Sequence, residues 1–223
     1  MQLIHAVFEP QGDGPHPTIL ALHGWGANAL DLLGLAPYLC SGRFLVLCPQ
    51  GPVTTRIGEG MIGYGWFPLT LGRPPELAEV LSAKGQLEQF LDACAARYPI
   101  DPKKLVVLGF SQGGVMAYSL ALSKPERFAA LVVLSSWLTQ ELVDAISPSP
   151  GIENLATLVQ HGSEDELIEV DRARGSIEVL RALRIPVTYR EYDMGHEIGP
   201  RSLVDLSAWI QEKLFSRLIV AGV

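Results

Sequence analysis

The sequence predicts a three-layer α/β fold, in which a mostly parallel sheet is flanked by helices. Six short apolar runs, rich in strand-forming residues, recur along the chain. They are continuous rather than alternating, as expected for strands buried on both faces of a parallel sheet. Helical patterns separate several of them, and such alternation of strands and helices is typical of parallel α/β folds. The six runs are residues 18–22, 44–48, 105–110, 130–134, 155–160 and 187–192.

The helical segments are recognised by apolar residues that recur every three or four positions. The clearest of them places apolar residues at Leu87, Phe90, Leu91, Cys94 and Tyr98. Two further helices are predicted within 177–183 and 203–214. Residues 3–10 are predicted to form an antiparallel edge strand. Residues 51–75 are glycine-rich without periodicity, so we expect a long irregular loop over the binding site.

Length and composition restrict the class of protein. The 223 residues are consistent with one domain spanning 1–223, and we find no internal repeat or linker. The net charge of −7 disfavours nucleic acid and anionic membranes as partners. No apolar run approaches the roughly 18 residues of a membrane-spanning helix. The first residues contain no basic region followed by an apolar core, so a cytoplasmic location is predicted.

The sequence G-F-S-Q-G-G at 109–114 is a G-x-S-x-G motif. On its own such a motif is weak, but a predicted strand ends directly before it and a helical pattern at 115–122 follows. A strand, a tight turn and a helix form the nucleophile elbow, which presents the serine hydroxyl at the end of the sheet. Ser111 is therefore the candidate nucleophile. The alternative is an ordinary glycine-rich turn.

A serine nucleophile needs a base and a group that orients the base, and the elbow architecture orders them serine, acid, histidine. His196 follows the last predicted strand and is the preferred base, whereas His161 leaves little chain in which to place an acid before it. The acid is expected on the loop after the preceding strand, where Asp165 is preferred. Glu164 and Glu166 remain alternatives.

The reaction also needs two donors for the oxyanion. In this architecture one is the backbone N–H after the nucleophile, here Gln112, and the other lies on an earlier strand–helix loop. The segment L-H-G-W-G at 22–26 follows a predicted strand, which makes the N–H of Trp25 the second candidate. His23 is expected to brace this loop. Such a site requires no metal and no organic cofactor, and the three irregularly spaced cysteines predict neither a metal pair nor a disulfide framework.

These motifs resemble a known family along nearly the whole chain. They are L-H-G at 22–24, P-Q at 49–50, P-V-T at 52–54, W-F at 66–67, G-F-S-Q-G-G at 109–114, L-S-S at 134–136, H-G-S-E-D at 161–165 and Y-D-M-G-H-E at 192–197. The chain resembles the bacterial phospholipase/carboxylesterase group, close to the acyl-protein thioesterases, within the α/β-hydrolase superfamily.

The resemblance implies an α/β-hydrolase sandwich without a large cap domain, and a triad of Ser111, Asp165 and His196. It also implies an acyl pocket near Trp66, Phe67 and Leu69, the alternative being that these residues only cover one edge of the sheet. Two positions depart from the family pattern. Pro68 replaces an aspartate that commonly follows W-F. Trp25 replaces a leucine often found after H-G, which leaves the acyl chain length open.

The leading hypothesis is a serine hydrolase that cleaves carboxylic esters, thioesters or lysophospholipids through an acyl-enzyme. Its substrate would be a small or lipid-like acyl ester. A second hypothesis is a ligand-binding protein that keeps the fold without turning over its ligand, and a third is a hydrolase of lactones or peptides. The sequence leaves open whether the chain is a monomer or a homodimer.

Overall fold

Residues 3–69 and 74–215 are described by the computed structural model of the chain. Within these residues there are nine strands and five α-helices. The strands are β1 (His5–Phe8), β2 (His16–Leu22), β3 (Leu45–Pro49), β4 (Val53–Gly58), β5 (Met61–Gly65), β6 (Ile100–Phe110), β7 (Ala130–Leu134), β8 (Ala156–Gly162) and β9 (Val187–Tyr192). The helices are α1 (Leu77–Arg97), α2 (Gln112–Ser123), α3 (Gln140–Ile146), α4 (Val170–Ala182) and α5 (Pro200–Phe215).

Seven strands form one sheet in the order β1-β3-β2-β6-β7-β8-β9. Every neighbouring pair is parallel except β1 with β3, where His5 lies opposite Pro49 in an antiparallel register. The structure confirms the six predicted strands and the antiparallel edge strand. All of the parallel strands have their carboxyl ends at the same edge of the sheet, which is where such sheets bind ligands.

The sheet is covered on both faces, which explains its continuous apolar strands. Leu20 and Leu22 face one buried cluster, to which α1, α2, α3 and α4 contribute. Ile19 and Ala21 face a second cluster, which contains residues of α5. Successive side chains of a strand point to opposite faces. A strand buried on both faces must therefore be apolar at every position, and the predicted mostly parallel α/β sandwich is confirmed.

Two elements differ from the sequence prediction. Part of the expected irregular loop is an antiparallel hairpin of β4 and β5, in which Val53 lies opposite Gly65. Most residues of β4 are exposed, so its sequence does not show the alternation of apolar and polar residues that predicts a strand. The seven-residue helix α3 was not predicted because it is too short for a clear pattern. Residues 70–73 of the expected loop lie outside the described residues.

Candidate active site

Ser111 occupies a strained turn between β6 and α2. Its backbone has φ 52° and ψ −119°, a conformation that costs a non-glycine residue on the order of 1–3 kcal/mol. The turn is held by the Ser111 N–H, which donates to the Leu134 carbonyl at 2.9 Å. A Cβ at Gly109 would overlap the carbonyl of Gly113, so the turn closes only with glycine there. This is the geometry of a nucleophile elbow.

Asp165 and His196 form a hydrogen-bonded pair. Asp165 Oδ2 lies 2.8 Å from His196 Nδ1, and the side chain of Asp165 is fully buried. Its other oxygen, Oδ1, accepts from the N–H groups of Leu167 at 3.0 Å and Ile168 at 2.8 Å. The carboxylate is therefore fixed on both oxygens. An acceptor at Nδ1 selects the tautomer whose Nε2 is free to take a proton.

The alternative acids are placed differently. Glu164 and Glu166 are both exposed, on either side of the buried Asp165. No hydrogen bond joins either side chain to His196 among residues 3–69 and 74–215. Asp165 thus differs from its two acidic neighbours in being buried. The sequence, which has three acidic residues in a row, does not reveal this difference.

His161, near the end of β8, contacts Asp165. Its Nε2 lies 2.7 Å from the carbonyl oxygen of Ile168 and 3.3 Å from Asp165 Oδ2. Burial lowers the pKa of His161, so the ring is neutral and its Nε2–H faces these two acceptors. The sequence predicts a structural hydrogen bond at the end of β8. The structure adds the contact with Asp165.

Ser111 and His196 line the same cavity. The imidazole packs against the ring of Phe110, with ring centroids 4.9 Å apart, and Phe110 directly precedes the serine. The described residues show no hydrogen bond between the serine hydroxyl and the imidazole. Such bonds are often long in unliganded enzymes and tighten when substrate binds.

The two predicted oxyanion donors also reach this cavity. Neither the Trp25 N–H nor the Gln112 N–H, which opens α2, donates to another of the described residues. His23 stabilises the loop that carries Trp25. Its Nδ1 lies 2.7 Å from the Gly24 carbonyl, and its Nε2 accepts from the N–H of Gly51 at 3.0 Å. Burial lowers the pKa of His23, and with both nitrogens occupied it is not placed to act as a base.

The β4–β5 hairpin packs against the same loop. The N–H of Gly26 donates to the carbonyl of Tyr64 at 2.8 Å, and the N–H of Tyr64 donates to the carbonyl of Ala27 at 2.8 Å. A Cβ at Gly65 would overlap the indole ring of Trp25. Glycine at position 65 therefore leaves room for the Trp25 ring beside the hairpin, and Trp25 also lines the cavity.

Trp66 and Phe67 are not where the sequence places them. Both are buried in the core, at 1% and 0% exposure, and neither lines the cavity, whereas Leu69 does. The Trp66 indole N–H donates to the His23 carbonyl at 2.8 Å. The Gln112 side chain accepts from the Trp66 backbone N–H at 2.8 Å and donates to the Phe67 carbonyl at 2.7 Å. These two aromatic residues therefore stabilise the loop that carries Trp25, and they do not line the cavity.

The cavity has a volume of about 1040 Å³. The residues that line it include Trp137, Ile168 and Arg172, which the sequence analysis does not single out. Trp137 follows the end of β7, and Ile168 lies on the loop after β8, so the position of strand ends could have indicated both. Arg172 lies in the first turn of α4, which no sequence pattern connects to the site.

The part of the chain that the structure describes contains neither a group of metal ligands nor a membrane-spanning helix. No three His, Cys, Asp or Glu side chains are grouped as metal ligands would be. In addition, none of the helices in residues 3–69 and 74–215 combines the length and the apolar character needed to cross a membrane.

The chain is similar to proteins of known sequence. A family model described as phospholipase/carboxylesterase matches residues 4–214. Acyl-protein thioesterase 1 of Gibberella zeae is 28% identical over 203 residues, which cover 86% of this chain and 85% of the relative. Acyl-protein thioesterase 1 of Mycosarcoma maydis is 26% identical over 224 residues, which cover 90% and 92%. The bacterial grouping stays a prediction.

Solved structures share the fold. An esterase designated PE8 superposes with a TM-score of 0.83 at 25% identity, covering 96% of this chain and all of that one. The carboxylesterase of Bacillus cereus superposes with a TM-score of 0.77 at 22% identity, covering 95% of this chain and 94% of that one.

Proposed function

The chain belongs to the phospholipase/carboxylesterase family, and we propose that it is a serine hydrolase in which Ser111 attacks the acyl carbon of a carboxylic ester. The observation that carries this assignment is the buried Asp165, which lies 2.8 Å from His196 Nδ1 beside a cavity shared with the strained serine. A buried acid, an oriented imidazole and an elbow serine are the parts of an acyl-transfer site.

In this mechanism His196 Nε2 takes the proton of the Ser111 hydroxyl as Oγ bonds to the acyl carbon. The carbonyl oxygen becomes an oxyanion, which the N–H groups of Trp25 and Gln112 stabilise. His196 then gives its proton to the leaving oxygen, so the alcohol departs and an acyl-enzyme remains. Water, deprotonated by the same imidazole, releases the acid and restores Ser111. Asp165 holds the ring and stabilises its cation throughout.

The same steps apply to thioesters, because only the leaving atom differs. The relatives named acyl-protein thioesterase favour including this substrate class in the proposal. Comparison of p-nitrophenyl butyrate with an S-butyryl thioester of N-acetylcysteamine measures the preference directly. Lysophospholipids are tested in the same way by release of fatty acid.

The nucleophile assignment is tested by steady-state hydrolysis of p-nitrophenyl butyrate. Ser111→Ala should lower kcat/KM by several orders of magnitude with the fold intact, because members of a triad act as a unit. Ser82→Ala, an exposed serine on α1, is the matched control and should leave kcat/KM unchanged. Activity of Ser111→Ala above about a tenth of wild type would overturn the assignment. A protein that binds esters without turnover would show no hydrolysis before mutation either.

The proposal extends to three properties that rest on the sequence. Residues 1–223 form one α/β-hydrolase domain, which a single cooperative unfolding transition would support. The protein is cytoplasmic, which cell fractionation tests. A homodimer is the third property, and light scattering of the eluted protein distinguishes it from a monomer of 24.2 kDa, which the sequence allows equally.

A further inference from the structure

Arg172 brings a fixed positive charge to the wall of the cavity. Among the described residues that line it, Arg172 is the one lysine or arginine. The chain as a whole carries a net charge of −7, so the charge of Arg172 is opposite in sign to the net charge of the chain. A charged side chain beside a reacting centre selects substrates by their charge.

The guanidinium of Arg172 is oriented by an aromatic ring and not by a carboxylate. Its central carbon lies 4.6 Å from the ring centroid of Trp137, which also lines the cavity. No carboxylate lies within 4.0 Å of it among residues 3–69 and 74–215. Arg174, two positions later, instead binds both Glu191 and Asp171. Stacking on a ring leaves the N–H donors at the edge of the guanidinium available for an external acceptor.

The order of strands separates the two charged ends of the cavity. Ser111 follows β6, which lies between β2 and β7 in the sheet. The loop after β2 supplies Trp25 and the exposed Asp31 to one wall. The opposite wall comes from the segments after β7 and β8, and it contains Trp137, Leu167, Ile168 and Arg172. An anion would be repelled on the Asp31 side and attracted on the Arg172 side.

We propose that Arg172 binds an anionic oxygen group of the substrate, so that the preferred esters carry a carboxylate or phosphate beyond an apolar portion that contacts Trp137. This inference rests on the proposed ester hydrolysis and names the substrate class for the same site. Arginine suits the role because its planar donors match the two oxygens of such groups. A wall that combines apolar residues with an arginine fits an ester that has both an apolar portion and a negative charge better than it fits an uncharged ester.

Pairs of esters that differ only in charge test the inference. The first pair is the p-nitrophenyl monoester of glutaric acid and its methyl ester, which place the charge on the acyl part. The second is 4-acetoxybenzoate and its methyl ester, which place it on the alcohol part. The acetyl ester 4-acetoxyphenyl phosphate distinguishes phosphate from carboxylate. The quantity compared is the ratio of kcat/KM for the charged ester to that for its neutral partner.

We expect wild type to prefer the charged member of at least one pair by about fivefold, at the upper end of what an exposed ion pair contributes. Arg172→Gln should abolish the preference, and Arg172→Lys should retain part of it. Arg181→Gln, an exposed arginine on the same helix that pairs with Glu178, is the matched control and should keep the preference. The preference should weaken as salt rises.

An unchanged ratio in Arg172→Gln would overturn the inference. So would a wild-type ratio of one or less in every pair, while the neutral esters are still hydrolysed. Failure to hydrolyse any neutral ester would instead overturn the proposed function, and the inference with it.

Discussion

The side chain of Gln112 allows a quantitative test of the hydrogen bonds that hold the segment after β5 beneath the candidate site. It is completely buried and bonds two backbone groups of the segment after β5, the Trp66 N–H and the Phe67 carbonyl. Both of those residues are also buried. Gln112→Ala leaves these two groups without partners, and each unsatisfied buried group costs about 1–3 kcal/mol. The free energy of unfolding should therefore fall by about 2–6 kcal/mol, a large share of the 5–15 kcal/mol typical of such a protein.

Urea denaturation measures this loss. Gln89→Ala, an exposed glutamine on α1, is the control and should change the unfolding free energy by less than about 0.5 kcal/mol. A second variant isolates the hydrogen bonds. In Gln112→Glu one carboxyl oxygen can still accept from the Trp66 N–H. The other oxygen faces the Phe67 carbonyl, which it repels unless it carries a proton that it can donate.

The acidic variant should therefore show a characteristic pH dependence. Its new carboxyl should have a raised pKa in the folded state, because only the protonated form can donate to Phe67. Relative to wild type, the variant should be least impaired below the ordinary glutamate pKa of about 4.3 and lose stability as pH rises. Two results would refute the stabilising role of these two hydrogen bonds. One is a loss of unfolding free energy below about 0.5 kcal/mol in Gln112→Ala, and the other is a loss in Gln112→Glu that does not change with pH.

Three further predictions concern the strained serine, the acid and two buried histidines. Ser111→Gly should be more stable to urea than Ser111→Ala by about 1 kcal/mol, because glycine tolerates the positive φ; equal stability would mean an unstrained turn. Asp165→Asn should lower kcat/KM for p-nitrophenyl butyrate by about 10³–10⁴, whereas Glu164→Gln should be mild, and the reverse order would reassign the acid. Burial lowers the pKa of His23 and His161 from 6.5. The unfolded chain then binds protons that the folded chain excludes, so stability should fall below pH 6.5 by at most about 1.4 kcal/mol per pH unit for each histidine. Urea midpoints between pH 7.5 and 5 check this, and a slope unchanged by His161→Gln would contradict it.

The sheet and the position of the site could be predicted because they depend on local patterns. A strand buried on both faces is apolar at every position, and the predicted segment 130–134 coincides with β7. Each candidate for the triad follows a strand, and parallel strands end at one edge of the sheet. Order along the chain was thus enough to bring Ser111, Asp165 and His196 to the same edge.

The support of the site could not be predicted, because it depends on contacts between distant segments. Trp66 and Phe67 stand in a glycine-rich stretch, and their aromatic character suggested a binding pocket. The structure shows that a hairpin leads them into the core, where Gln112, some 45 positions later, bonds their backbone. Arg172 was missed for a similar reason, since only the packing of α4 brings its side chain over Trp137.

Covalent labelling shows whether Ser111 is an activated nucleophile. A fluorophosphonate reacts with a serine only when a neighbouring base activates it. Intact mass and peptide mapping after reaction should show one adduct, located on Ser111, in the wild-type protein. The adduct should be absent in Ser111→Ala and form far more slowly in Asp165→Asn. An unlabelled wild-type protein, or an adduct on any other residue, would show that Ser111 is not the activated nucleophile.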